Sequence, residues 1–148
     1  MYVFIQSDIE CYWRTVMGAV ALNHSQPTVT EEAKKMWKQT SESVDSNDKR
    51  FIGSHSFYDF LEMQANSLML GDLQGMESLS AGARAKAYMD QFRWFLKGEH
   101  LEHLFAWTLY KNLPEGKTEK EILTLFQEFK NQYPESRFLP VLKSMIGQ

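Results

Sequence analysis

Five consecutive residues hold the densest chemistry in the chain: Glu99, His100, Leu101, Glu102 and His103. On a helix, Glu99 and His103 stand at i, i+4 and His100 and His103 at i, i+3, so carboxylate and imidazole gather on neighbouring positions. Those groups are suitable donors to zinc or iron. A metal site needs three or four ligands, however, and no second histidine pair exists, because His24 and His55 stand alone in turn-like segments. The simpler reading is an exposed helix start, where Glu99 and Glu102 suit the positive end of the helix dipole. The expectation is therefore no metal and no other cofactor. Glu99, His100 and His103 are the residues that would hold a metal if one were bound.

Other catalytic signatures are missing. The chain contains no Cys-x-x-Cys, no Gly-x-Ser-x-Gly, no phosphate-cradling glycine loop and no dinucleotide fingerprint. Cys11 is the sole cysteine, so no intrachain disulfide forms; on a helix it reads as a small buried hydrophobe. Asp90 and Glu62 are lone helical acids, expected in solvent rather than paired for acid–base work. Four tryptophans remain: Trp13, Trp37, Trp94 and Trp107. Rings at helical spacing belong in a core as a rule, but Trp94 and Trp107 fall slightly off their helices' apolar stripes. Partial exposure is expected of both, and exposed together they mark a protein contact surface.

The elements that must position these residues read as helices throughout. Ile122, Phe126, Phe129 and Tyr133 recur at steps of four, three and four, and Leu123 widens that face. Tyr133-Pro134-Glu135-Ser136 breaks the pattern. A short last helix follows, with Val141, Leu142, Met145 and Ile146 as its apolar side, Ser136 as its cap and Pro140 in its first turn. Upstream, Ala85, Tyr88, Met89, Phe92, Phe95 and Leu96 form one face of a helix over 79–97, capped by Ser80. Gly98 is placed as the glycine just past its end. Glu99–Asn112 follows at once, with Leu101, Leu104, Phe105, Thr108 and Leu109 inward, so the two helices fold back as a hairpin. A loop is expected over 113–117, then a capping box of Thr118 and Glu121.

In the first half, residues 3–22 repeat apolar at helical spacing, with a strand over 2–5 as the weaker alternative. Thr30 caps a mostly polar surface helix whose narrow apolar side is Ala33, Met36, Trp37 and Val44. Residues 41–50 read as a solvated, mobile connector, and 51–70 as a helix started by Ser54 or Ser56. The count is six to seven helices and no sheet. The fold class is all-α, with antiparallel hairpins in an irregular bundle or a TPR-like array. No 34-residue period repeats, which makes the bundle the stronger form.

Composition sets the outer bounds. The 148 residues fit one domain, 1–148, and 43% hydrophobic with 24% charged residues is a globular composition. A formal charge of −3 and the lack of any basic run beyond Lys34-Lys35 or Lys49-Arg50 argue against nucleic acid as a partner. No stretch of about 20 uncharged apolar residues exists, so no membrane span is expected. Met1–Leu22 lacks a basic start and is interrupted by Asp8, Glu10 and Arg14, so it fails as an export signal.

Two segments carry a resemblance. They are Phe92-Arg93-Trp94-Phe95-Leu96-Lys97-Gly98-Glu99-His100-Leu101-Glu102, and the run from Phe126 to Leu142 that contains Tyr133-Pro134-Glu135-Ser136. Over about residues 90–148 the chain resembles the helical region that precedes the thioredoxin-like domain in bacterial cell-envelope thiol–disulfide oxidoreductases of the TlpA/AhpC-TSA type. The family's Cys-x-x-Cys in a βαβ setting is absent here, so no catalytic residue carries over. The resemblance implies a domain excised from a longer protein, placed in the periplasm or cell envelope and not itself an enzyme. Its partners would be the thioredoxin-like domain C-terminal to it, a protein client, or a second copy in a homodimer. A free-standing TPR-like module binding a peptide in an aromatic groove is the alternative.

Overall fold

The computed structural model describes residues 11, 14–15, 27–68, 79–116 and 118–147. Every regular element among them is helical, as expected, with no strand. Six α-helices appear: α1 (Pro27–Glu42), α2 (His55–Leu68), α3 (Ala81–Phe95), α4 (Gly98–Gly116), α5 (Lys120–Gln132) and α6 (Leu139–Ile146), with a 3-10 turn over Lys49–Phe51. The chain divides into two compact units, Met1–Gly71 and Asp72–Gln148. Each is described by itself.

In the first unit, α1 begins at Pro27 rather than after a Thr30 cap. Proline suits a first helical position, because its φ is preset and its missing N–H has no helical acceptor there. Trp37 is buried, and its ring meets Phe60 edge-on at 5.6 Å. Met36, expected beside it, is exposed instead. Phe57, Phe60, Leu61 and Ala65 of α2 are fully buried. Ser54 is the cap of α2, its hydroxyl accepting from the Phe57 amide at 3.1 Å.

The connector over 41–50 is more built than expected. Asp45 accepts from the Asn47 amide and Asp48 from the Arg50 amide, each at 2.9 Å, so short polar side chains replace helix bonds with local turns. Ser46 is buried and donates to Gln64 Oε1 at 3.2 Å, which ties this stretch to α2. The expected helix over 3–22, the strand alternative and Trp13 lie outside the described residues. Of that stretch, Cys11 is helical and buried, as expected. Arg14 donates to the Thr40 carbonyl at 3.2 Å and thereby holds the end of α1.

The second unit is a four-helix arrangement around α4. α3 and α4 pack as a hairpin, α5 lies against both, and α6 packs on α4. The predicted inward set of α4, Leu101, Leu104, Phe105, Thr108 and Leu109, is buried, as are Ile122, Phe126 and Phe129 of α5. Phe105 and Phe129 meet edge to face at 5.2 Å across the α4–α5 contact, a geometry aromatic quadrupoles favour. Leu125, not Leu123, completes the buried side of α5; Leu123 is exposed.

The helix boundaries differ where tertiary packing overrides local signals. α4 runs through Leu113 and Pro114 to Gly116, where a loop was expected. A proline inside a helix costs about 3 kcal/mol; the burial of Leu113 and the seating of Gly116 offset it. A Cβ on Gly116 would lie 2.9 Å from Ala81 Cβ and 3.3 Å from Ile122 Cγ1. The capping box of Thr118 and Glu121 does not form: α5 starts after Glu119 with no side-chain cap. Glu119 turns the other way and accepts the Gly82 amide of α3 at 2.8 Å. Ser80, the predicted α3 cap, accepts from Ala83 at 3.3 Å. Its hydroxyl and the Gly82 and Ala81 amides, with Arg84 nearby, hold the Glu119 carboxyl below the usual carboxylate range. One carboxylate thus closes the start of a neighbouring helix, where the dipole also favours it.

Gly98 has φ +58° and stands at the start of α4; the end of α3 is closed by Leu96, whose amide donates to the Phe92 carbonyl at 2.8 Å. At the last corner, Ser136 accepts from the Phe138 amide at 3.3 Å, but the residue preceding α6 is Phe138. Leu139 and Leu142 are the buried side of α6, while Val141, expected inward, is 52% exposed.

Candidate functional site

The residues singled out for chemistry do not converge. Glu99 is exposed, whereas His100, one position on, is 2% exposed and turned into the unit. The reading of 99–103 as a wholly exposed helix start therefore fails at His100. Neighbours one position apart on a helix point about 100° apart, so burying one exposes the other. His103 is half-buried and meets the Phe138 ring edge-on at 5.3 Å. Among the described residues no three His, Cys, Asp or Glu side chains come together in a metal-holding group. Trp94 on α3 is 76% exposed. Trp107 on α4 is partly exposed and lies parallel to Tyr110, ring centroids 5.6 Å apart and planes 8° apart.

What the structure does build is a groove between α4 and α6. Its α4 wall is His103, Trp107 and Tyr110 over Ala106; its α6 wall is Phe138, Val141 and Leu142, and it encloses about 160 Å³. A cavity of roughly 150 Å³ takes up a benzene-sized molecule, so the groove has room for one large side chain. Its surface is nearly all carbon. Tyr110 is 47% exposed and Val141 52%, so the rim is open to solvent. Trp94 is not part of it.

Two cations sit on the aromatic walls. Lys111 Nζ lies 4.8 Å from the Trp107 ring centroid, and Arg137 Cζ lies 4.9 Å from that of Phe138. Cation–π attraction holds such groups beside the apolar strip instead of letting them sweep through solvent. A second depression, about 490 Å³, lies on the outer face of α5 around Leu123 and Gln127. It is an open shelf of mostly polar side chains and offers no enclosing walls.

Sequence reading named Trp107 and His103 but missed Tyr110, Phe138 and Val141 as their companions. A signal existed. Residues 103, 107 and 110 step by four and three, a second stripe on α4 beside the inward one. The groove supplies no nucleophile–base pair; its polar equipment is one imidazole, one phenol and two flanking cations. Its chemistry is burial of an apolar group. No helix among the described residues is long and apolar enough to cross a membrane. Comparison with protein-family models, with curated proteins and with solved structures finds no match to this chain.

Proposed function

We propose that this chain is a non-catalytic helical module that works through protein contacts. The observation that carries the reading is the ring-lined groove between α4 and α6, open at the rim and sized for one large apolar side chain. Exposed apolar patches with aromatic walls are the usual mark of protein interaction sites. The groove also lies within residues 90–148, the stretch that resembles the helical region ahead of a thioredoxin-like domain. On that resemblance the module is an accessory domain of a cell-envelope thiol–disulfide oxidoreductase. The redox chemistry then resides in a thioredoxin-like domain C-terminal to it, and the groove receives that domain or a client.

Two measurements test this. The chain alone should not accelerate reduction of insulin disulfides by dithiothreitol; turnover above the uncatalysed rate refutes the non-catalytic reading. Sequencing the native reading frame past the codon for Gln148 tests the redox context. A strand–helix pattern with Cys-x-x-Cys within about fifty residues supports it. A stop codon there removes it and favours the second reading, a free-standing TPR-like peptide-binding module. Trp107 and Tyr110 on one groove wall are the specific observation behind that second reading.

A further inference from the structure

We infer that the groove between α4 and α6 receives Trp94 from a second copy of this chain, the indole of one copy seating between the aromatic walls of the next. The inference rests on the contact reading above and names the partner. Among the described residues of the second unit, the three most exposed large apolar side chains are Trp94, Val141 and Tyr110. Val141 and Tyr110 line the groove, and Trp94 projects from elsewhere on the same unit. The unit thus carries an apolar projection and an apolar recess. The recess encloses about 160 Å³, near the volume that takes up benzene, and the benzo ring of an indole is of that size. The open rim leaves the indole N–H in water, so no donor is buried without an acceptor. Trp94 does not enter the groove of its own chain: α3, which carries it, is held against α4 and α5. Tryptophan is also among the side chains that most often dominate protein contacts.

Charge complementarity supports the same pairing. Asp90 lies four positions before Trp94 and so shares its face of α3, one turn or about 6 Å away. Asp90 pairs with Lys86 at 2.7 Å across an exposed i, i+4 link, which is too weak to keep the carboxylate from a further cation. On the groove side, the Arg137 guanidinium lies 4.9 Å from the ring centroid of Phe138, one of the walls. Arg137 is exposed, and among the described residues it has no carboxylate within ion-pair distance. The step from ring to acid on α3 therefore resembles the step from wall to cation at the groove. Arg93, beside Trp94, is already paired with Glu128 at 2.6 Å. Ring and recess lie at different places on one unit, so copies join head to tail, or as a pair if both contacts close about a two-fold axis. One buried ring and one exposed ion pair make a small contact, so association is weak, with a Kd of about 0.1–1 mM.

Amide and methyl NMR spectra of the whole chain from about 0.02 to 1 mM, a range that spans that Kd, test it. The Trp94 and Trp107 indole signals and the Val141 methyl signals should move together as concentration rises. Trp94→Gln, at an exposed position, removes the ring and keeps the groove; Val141→Glu blocks the groove and keeps the ring. Each variant alone should lose the concentration dependence. Mixing the two should restore it, with groove shifts in labelled Trp94→Gln chain and the Trp94 indole shift in labelled Val141→Glu chain. Asp90→Arg should weaken association about threefold, the size of one exposed ion pair, and adding Arg137→Asp should recover it. Signals that ignore concentration, movement that survives Trp94→Gln, a mixture that stays silent, or a charge swap that recovers nothing overturns the inference. Toluene added to the Trp94→Gln chain then separates the two readings. Shifts at the groove leave the contact reading intact with another occupant, and none there defeats both.

Discussion

α4 meets its neighbours in two contrasting ways. Toward α3 and α5 the contact closes to the limit: at Gly116 a methyl group would lie 2.9 Å from Ala81 Cβ and 3.3 Å from Ile122 Cγ1, and beside it α3 and α5 close on each other at Gly82, whose amide Glu119 accepts. Toward α6 the contact stays open, because Trp107, Tyr110 and Phe138 stand between the backbones and leave about 160 Å³ unfilled. The same helix therefore serves stability on one side and, on our reading, recognition on the other. Small residues let backbones approach until nothing else fits; rings hold them apart and leave carbon surface exposed. Where apolar surface is left uncovered next to surface that is fully covered, the uncovered part is the better guide to function.

Substitutions should separate the two sides in a graded way. Phe105→Ala, on the closed side, removes a fully buried ring that meets Phe129. It should cost about 3–5 kcal/mol, read as a drop in the urea midpoint. Gly82→Ala places a methyl 2.8 Å from Glu121 Cβ and the Glu119 carboxylate. Overpacking of this kind should cost about 1–3 kcal/mol, with the largest amide shifts at 80–84 and 119–122. If Gly82→Ala instead stabilises the protein, as helix propensity alone would have it, the closed junction is looser than described.

Glu119→Gln should have a smaller effect with a distinctive pH dependence. The folded carboxyl titrates below its ordinary value of 4.5, because Ser80, Gly82 and Ala81 donate to the charged form. A depressed folded pKa adds stability that is fully present above the unfolded value and is lost as pH falls through the folded one. The wild-type protein should thus exceed the glutamine variant in stability near neutral pH, and the gap should close below about pH 4.5. A gap that persists unchanged to pH 2 would place the effect in packing, not charge. On the open side, Val141→Ser should change stability by no more than about 0.5 kcal/mol, since half of the side chain already faces water.

The sequence made the helices and their inward faces legible wherever a single stripe ran at helical spacing. Leu101, Leu104, Phe105 and Leu109 were readable for that reason, as were Ile122, Phe126 and Phe129. Caps set by local chemistry were also readable, as at Ser80 and Ser54. What was not legible depends on contacts between distant residues. Thr118 and Glu121 satisfy a local capping pattern, yet Glu119 is drawn to α3 by Gly82, 37 positions away. Pro114 and Gly116 look like a loop until Leu113 is seen to be buried. Trp107 was visible as a ring off the stripe; its partners come from α6 (Val141) and the residue just before it (Phe138), and no spacing rule joins them. Trp94, named with Trp107 on the same reasoning, is exposed but lies outside the groove.

On our reading the apolar opening between α4 and α6 is where this chain receives another molecule. The most direct check is an NMR titration of the chain with toluene, a ring of the size the groove admits. Saturable shifts should be confined to Trp107, Tyr110, Phe138, Val141 and Leu142, with Leu104, Phe105 and Phe129 unmoved. Shifts spread through the closed core, or none at Trp107 and Val141, would contradict it.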